Sequence, residues 1–402
     1  MTAVDVAEYD PYADAVLDDP YPFYRALRAE SPVHYLEKWD AWALARFDDI
    51  WNASMDNGHY TVEQGSSPQY LLTKTIPPLP NLNHMDPPSQ TKLRAAVAPY
   101  FMPRRVRSLE ATIRGFVTEC IDSFIDEGQG DAIGQLGQIV AVRVANIAVG
   151  FPEEDAGYVV DLVKRFLSRE EGTVGMTQTG VSAFEEMIGY LEGIAKARRS
   201  YTGPAESPID VFLRAKVDGE LLSDELIGQH LILLLVGATE TFPKVFATSV
   251  LRLAQHPDQR AELVADPSLI AQGLRECLRY DMPTQFLMRS VSRQVEIGGK
   301  TLEPGQSVMF LYPSANRDER EFEDPDRFDI HRSSPRILSF GHGVHRCLGA
   351  NFAELEGRIL LEELLRRIPD YQVDEAAAKR DRTEFIRGYT SLPIEFPAGG
   401  GV

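Results

Sequence analysis

The stretch Phe340-Gly341-His342-Gly343-Val344-His345-Arg346-Cys347-Leu348-Gly349 carries the most specific chemistry in the chain. Glycines at 341 and 343 permit backbone conformations and close approaches that a Cβ would obstruct. An amphipathic run follows, Ala350 to Arg367, so Cys347 falls at or near a helix N-terminus. There the amide N–H groups and the helix dipole favour a thiolate over a thiol. Arg346, and His345 when charged, push the same way. A thiolate among exposed N–H groups is a soft, hydrogen-bonded ligand suited to iron. A lone cysteine is more often a small buried apolar residue. This one stands apart because the spacing F-G-x-G-x-H-x-C-x-G is met at all six fixed positions.

A second constellation, Gly237-Ala238-Thr239-Glu240-Thr241, lies inside a long apolar helical segment. A buried acid and hydroxyl in mid-helix are costly unless used or hydrogen-bonded. Glycine and two threonines weaken the helix at the same place. Pro243 brings no amide, so the carbonyl of Thr239 loses its partner and a kink is predicted there. The result is a groove able to hold water and oxygen beside an acid and a hydroxyl, if it is not merely an irregularity tolerated for packing. Glu276 and Arg279 place opposite charges at i and i+3 on another helical stripe, ordinarily a surface pair of a few tenths of a kcal/mol.

The elements that position these groups are mostly helical. Ser223 to His256 is the longest periodic segment, with a serine and two acids at its start and Pro257 beyond its end. About 32 residues at ~1.5 Å each would span roughly 50 Å, and the apolar centre, Ile232 to Val236, should be buried. Helices are also expected from Asp86-Pro87-Pro88 through Leu93, Val97 and Phe101 to Pro103, through most of Leu109 to Leu167, from Val181 to Ser200, and from Ser268 to Tyr280. Ser168 to Gly180 is a polar inter-helix segment. Val33-His34-Tyr35 and Ala41 to Leu44 read as two edge strands. Val291 to Ile297 and Val308 to Leu311 read as further strands, with a Gly298-Gly299 hairpin turn, and 383–396 as extended. Residues 61–83, with Pro77-Pro78-Leu79-Pro80, read as a long loop of the kind that is usually functional or disordered.

The chain has 402 residues and a formal net charge of −19, which argues against a nucleic-acid partner. Three well-separated cysteines, Cys120, Cys277 and Cys347, make no disulfide framework or paired-cysteine metal site. The N-terminus lacks a charged-then-apolar signal pattern. The longest contiguous apolar run, Leu231 to Val236, is too short to cross a bilayer.

The Cys347 stretch resembles the haem-binding loop of the cytochromes P450. Four more motifs resemble that family in its order: Asp86-Pro87-Pro88 with Arg94; the acid–threonine pair Glu240-Thr241 preceded by Gly237 and Ala238; Glu276-x-x-Arg279; and Phe322 to Phe328. The resemblance covers Asp10 to Phe396 and implies one domain over 1–402. The implied fold is mainly α with small β-sheets (α+β), with β-rich portions near 30–60, 285–313 and 383–396. Haem b would sit between the long central helix and the cysteine loop.

The resemblance implies Cys347 as iron ligand and Arg94, Arg289 and His345 as partners of the haem propionates. Gln90 stands where many relatives have histidine; Phe340, Gly341 and Ala238 would adjoin the haem. Glu240 and Thr241 would deliver protons to dioxygen, while Phe242 and Pro243 depart from the residues common there. Val236, Gly237, Thr284, Gln285, Phe286 and Leu287 would face the substrate, as would Tyr389, Thr390 and Leu392. Glu276, Arg279 and Arg327 would form a buried structural triad. The implied activity is monooxygenation, by hydroxylation or epoxidation, of a small hydrophobic molecule such as a terpenoid, steroid, fatty acid or secondary metabolite. Electrons would come from NAD(P)H through a reductase and an acidic ferredoxin docking on the Cys347 side, among Lys92, Arg94, Arg104, Arg105, Arg107 and Arg346. A cytoplasmic monomer, bound to no membrane, is expected. The alternative, a haem-thiolate sensor or peroxide-using enzyme without O2 activation, would be expected to lack the Glu240-Thr241 pair.

Overall fold

The computed structural model describes residues 4–75, 79–166, 168, 170, 175–217 and 219–398. Five short strands, β1 (Val33–Leu36), β2 (Ala41–Leu44), β3 (Tyr60–Thr61), β4 (Leu287–Val291) and β5 (Ser307–Phe310), form one sheet in the order β1-β2-β5-β4-β3. β2 and β5 run parallel, with Val308 opposite Trp42, and the other pairs are antiparallel. Of the two strands expected at an edge, only β1 is one. β2 is flanked on both sides, as suits a strand with three of its four residues fully buried. Val295–Ile297 and Lys300–Leu302 pair around Gly298-Gly299, both at positive φ (55° and 71°), as a tight hairpin demands. Near the C-terminus, β6 (Lys379–Arg382) pairs with β7 (Arg387–Ser391).

The helices that bear on the site are α1 (Ser89–Val97), α2 (Gln138–Val149), α3 (Gln178–Arg198), α4 (Asp224–Thr239), α5 (Thr241–Gln255), α6 (Ile270–Tyr280) and α7 (Ala350–Arg367). Pro103 follows the end of the α1 region and opens a short helix of its own, Pro103–Arg107, as its fixed φ allows. α2 is entered through a π-helical turn, Ala132–Gly137, and closed by Gly150 at φ 97°. The long loop expected at 61–83 contains a short helix, Pro68–Leu71. Pro77-Pro78, and positions 169 and 171–174 of the polar inter-helix segment, lie outside the described residues.

The expected 32-residue helix is interrupted at Glu240. The break coincides with a change of core. Ile227, Leu231, Ile232 and Leu235 of α4 belong to one buried cluster with Phe212 and Leu191, whereas Phe242, Phe246 and Val250 of α5 belong to another with Phe116 and Leu360. A third cluster joins Tyr24 and Leu27 to the sheet through Phe286, Met288 and Met309. By length and hydropathy Ala132–Val149 and Asp224–Gln255 could each cross a bilayer, which counting contiguous apolar residues overlooked. Both are mostly buried within the protein, as core helices are.

Candidate active site

The cysteine loop is shaped by its glycines. Gly341 and Gly343 adopt φ of 64° and 75°. A Cβ on Gly343 would fall 2.2 Å from the carbonyl oxygen of Ser54, so only glycine lets the loop lie against helix Phe47–Met55. His342 stacks on Trp51 of that helix, with ring centroids 3.5 Å apart. The Cys347 amide donates to Phe340 O at 2.7 Å, and the amides of Gly349 and Ala350 point at the sulfur. Cys347 is exposed as a residue, but protein atoms crowd around its sulfur. Burial pushes the thiol above its ordinary value, although those amides, Arg346 and Arg94 act the other way.

The amides and Arg346 thus favour the thiolate in the expected direction, and desolvation opposes them. His345 does not help, because burial, Arg289, Arg94 and His84 push its ring down to about 3, leaving it neutral. A bound metal ion deprotonates a coordinating thiol outright.

Around the loop, cations outnumber acids. Arg289 is 6% exposed, pushed below its ordinary value by burial, and donates to Met288 O at 2.7 Å. Arg94 donates to the carbonyl of Arg346. His345 Nε2 is buried without a hydrogen-bond partner among the described residues, and its nearest acid, Asp86, stands 4.0 Å away. Buried donors and cations short of counter-charge suit a ligand bearing carboxylates. Together with a sulfur held by amides, they fit haem. Gln90, almost fully buried, donates from Nε2 to Val344 O at 2.8 Å and so braces the loop.

On α4 and α5, the groups singled out in the sequence meet at the break. Pro243 does free the carbonyl of Thr239, but the side chain of Gln138 claims it, Nε2 to O 2.9 Å. Sequence spacing gave no sign of Gln138. Thr241 Oγ1 donates to Gly237 O at 2.9 Å, and Glu240 is buried. Gly237 is exposed, with no atom within 4 Å of where its Cβ would stand; Ala238 and Thr241 beside it are half-buried. Leu234 of α4 and Leu348, next to the cysteine, each pack on both large clusters, so the helix and the cysteine loop border the same seam. Val236 is half-buried against the cluster of Ile227, Leu231 and Leu235.

The expected substrate-facing residues divide. Thr284 and Leu287 are half-buried, but Gln285 and Phe286 are turned away. Phe286 is in the N-terminal cluster, and Gln285 accepts from Tyr24 Oη at 3.1 Å. Side chains alternate along extended backbone, so Leu287 shares its face with Arg289, while Phe286 shares the opposite one with Met288. Tyr389 is half-buried, and Thr390 is exposed with its hydroxyl on Lys379 O. Leu392 is wholly buried in the main core and lines no open space. Phe385, which sequence reasoning missed, is half-buried beside Thr284, its carbonyl accepting from the Gln285 amide at 2.8 Å.

Glu276 and Arg279 form a doubly hydrogen-bonded pair at 2.7 and 2.8 Å, both side chains 0% exposed. The third member is Arg332, 3.3 Å from Glu276, and not Arg327. Arg327 points outward to Asp329, and only its carbonyl faces the pair, accepting from both Arg279 and Arg332.

Comparison with known proteins bears on this site. The family model described as Cytochrome P450 matches residues 174–386. Putative cytochrome P450 123 of Mycobacterium tuberculosis is 34% identical over 393 residues, 97% of each chain. Cyclomarin C epoxidase of Salinispora arenicola is 33% identical over 380 residues, 92% of this chain and 94% of that protein. The crystal structure of CalO2 superposes with a TM-score of 0.86 at 30% identity, covering 98% of this chain and 99% of that one.

Proposed function

Since the chain belongs to the cytochrome P450 family of haem monooxygenases, we propose that it hydroxylates or epoxidises a small, largely apolar secondary metabolite. Its electrons come from NAD(P)H through a reductase and a ferredoxin-type carrier. The observation that supports this reading most is the pairing of two features across one seam: an amide-cradled Cys347 and a central helix opened beside Glu240-Thr241.

Haem b would be held by Cys347 as iron ligand. Arg94, Arg289 and His345, with Gln90 bracing the loop, would pair with its propionates, and Phe340, Gly341 and Ala238 would adjoin it. The haem supplies the oxidising chemistry when bound. The chain's own residues orient substrate and supply protons. Glu240 feeds protons inward. Thr241 Oγ1 now donates to Gly237 O; rotation about χ1 would turn that donor into the groove. Val236, Gly237, Thr284, Leu287, Tyr389 and Thr390, joined by Phe385, shape the substrate side. A relative named as an epoxidase of cyclomarin C supports a secondary-metabolite substrate.

Lys92, Arg104, Arg105, Arg107 and Arg346 are exposed and make no ion pair among the described residues, in a chain of net charge −19. The short helix Pro103–Arg107 packs on α7, which follows Cys347, and Asn351 of α7 donates to Phe101 O at 2.7 Å. An acidic ferredoxin docks on this face by charge steering. A cytoplasmic monomer completes the reading.

The test is a screen of terpenoids, steroids, fatty acids and tailored natural products for a ferric Soret shift. Turnover follows with ferredoxin, reductase and labelled dioxygen. Incorporation of one labelled oxygen into product is expected. Ligands that shift the spectrum without product or cofactor consumption would instead indicate a sensor.

A further inference from the structure

Two helical irregularities face each other beside the oxygen groove. Pro243 removes an amide from the central helix, so the Thr239 carbonyl has no partner four residues on. Thr239 is 0% exposed, and Gln138 Nε2 makes up the loss at 2.9 Å. Gln138 is the first residue of α2, directly after the π-helical turn Ala132–Gly137. That turn packs on α5, and Gly137 permits it: a Cβ there would stand 3.0 Å from Phe246 Cδ1 and 3.6 Å from the Cα of Pro243. The extra residue in one helix thus delivers a side-chain amide to the place where the other helix lacks a backbone amide.

We propose that Gln138 is a positioning residue for oxygen activation, fixing the break at Glu240 and thereby the direction of the Thr241 hydroxyl. The inference rests on the acid–threonine reading above. The carbonyl that Gln138 holds belongs to the Thr239–Glu240 peptide, so its orientation sets the entry into Glu240, which stands at φ −100° and ψ −51°. Without Gln138 the carbonyl must stay buried and unpaired or rotate towards another donor. Rotation turns the same peptide plane and re-aims the residues that follow.

The experiment is a cycle in the haem-loaded, full-length protein. Gln138→Met keeps side-chain length and removes the donor; Pro243→Ala restores a backbone amide to Thr239. Deuterium exchange of the peptide 236–244 is read without reduction or turnover. Gln138→Met should speed exchange about five- to tenfold in the native background and change it little in the Pro243→Ala background, where the new amide takes the carbonyl. Under turnover Gln138→Met should lower product formed per reduced cofactor about twofold or more, with the difference appearing as peroxide. Equal effects in both backgrounds, or none in the native one, overturn the proposal. If Gln138→Met fails to load haem, the double variant carries the test, since it should load normally; failure there too overturns the proposal. Thr241→Ala is run in parallel. If it leaks peroxide while Gln138→Met keeps the native ratio, the Gln138 assignment alone fails. If it keeps the native ratio, the acid–threonine reading fails and the Gln138 role falls with it.

Discussion

Replacing Arg332 and Arg327 in turn by alanine separates the two candidates for the third member of the Glu276–Arg279 cluster. Arg332 is 12% exposed and reaches Glu276 at 3.3 Å. It also donates to the carbonyls of Glu323, Asp324 and Arg327. At about 0.5 kcal/mol net for each of the three exposed bonds to carbonyls and about 0.5–1.5 kcal/mol for the part-buried bond to Glu276, Arg332→Ala should cost ~2–3 kcal/mol. Arg327 is 67% exposed and makes one pair, with Asp329 at 2.9 Å. A surface pair of that kind contributes about 0–1 kcal/mol. Glu276→Gln sets the upper reference. It leaves Arg279, which also donates to Asn316 O and Pro325 O, with no full counter-charge in a site of 0% exposure, a loss of ~3–5 kcal/mol.

For 402 residues, an unfolding entropy near 0.8 kcal/mol/K converts these values into shifts in the unfolding midpoint of about 5 °C for Glu276→Gln, ~3 °C for Arg332→Ala and under ~1 °C for Arg327→Ala. Thermal unfolding followed by far-ultraviolet circular dichroism, at fixed haem loading, reads all three. An Arg327→Ala shift as large as that of Arg332→Ala would refute the geometry and the energetic argument together.

Four further outcomes are expected. Cys347→Ala should abolish the red-shifted Soret band of the reduced, carbon monoxide-bound protein; a histidine-type band in the native protein would contradict the ligand assignment. Thr241→Ala should bind substrate and consume reduced cofactor almost normally while releasing peroxide, and Glu240→Gln should slow turnover with a larger solvent isotope effect; the product-to-cofactor ratio decides. Charge reversal at Arg104 and Arg105 should slow reduction by ferredoxin and flatten its ionic-strength dependence, and stopped-flow rates unchanged in both respects would exclude this docking face. Burial pushes His230, whose Nδ1 accepts from the Leu82 amide, down to about 4. The folded ring is then neutral where the unfolded one is charged, so stability falls as pH drops from ~6.5 towards 4, by up to ~3 kcal/mol, and not above that range. His230→Asn should reduce that slope in denaturant titrations.

The features legible in the sequence act over a few residues of chain. Glycine at 341 and 343 answers to positive φ, Gly298-Gly299 to a tight hairpin, and Pro243 to a missing amide, so the loop, the turn and the helix break could all be placed from residue type. Family spacing then set the mainly helical fold with its small sheets. What it left undecided were choices among chemically equivalent groups, and charge states that depend on surroundings. Arg327 and Arg332 carry the same guanidinium five positions apart, and only the path of the loop turns one inward. Gln285 and Phe286 were expected beside Thr284 and Leu287, but alternation along the extended backbone sends Phe286 into the N-terminal cluster, and Gln285 is taken up by the Tyr24 hydroxyl and the carbonyl of Pro283. Helix end and neighbouring cations favour the Cys347 thiolate as residue types suggest, but the desolvation that opposes them is a property of the assembled protein. The carbonyl freed by Pro243 was visible in the sequence, but not the side chain that claims it. Gln138 lies 101 residues away in the chain, and only packing of α2 against the central helix brings its amide within 2.9 Å.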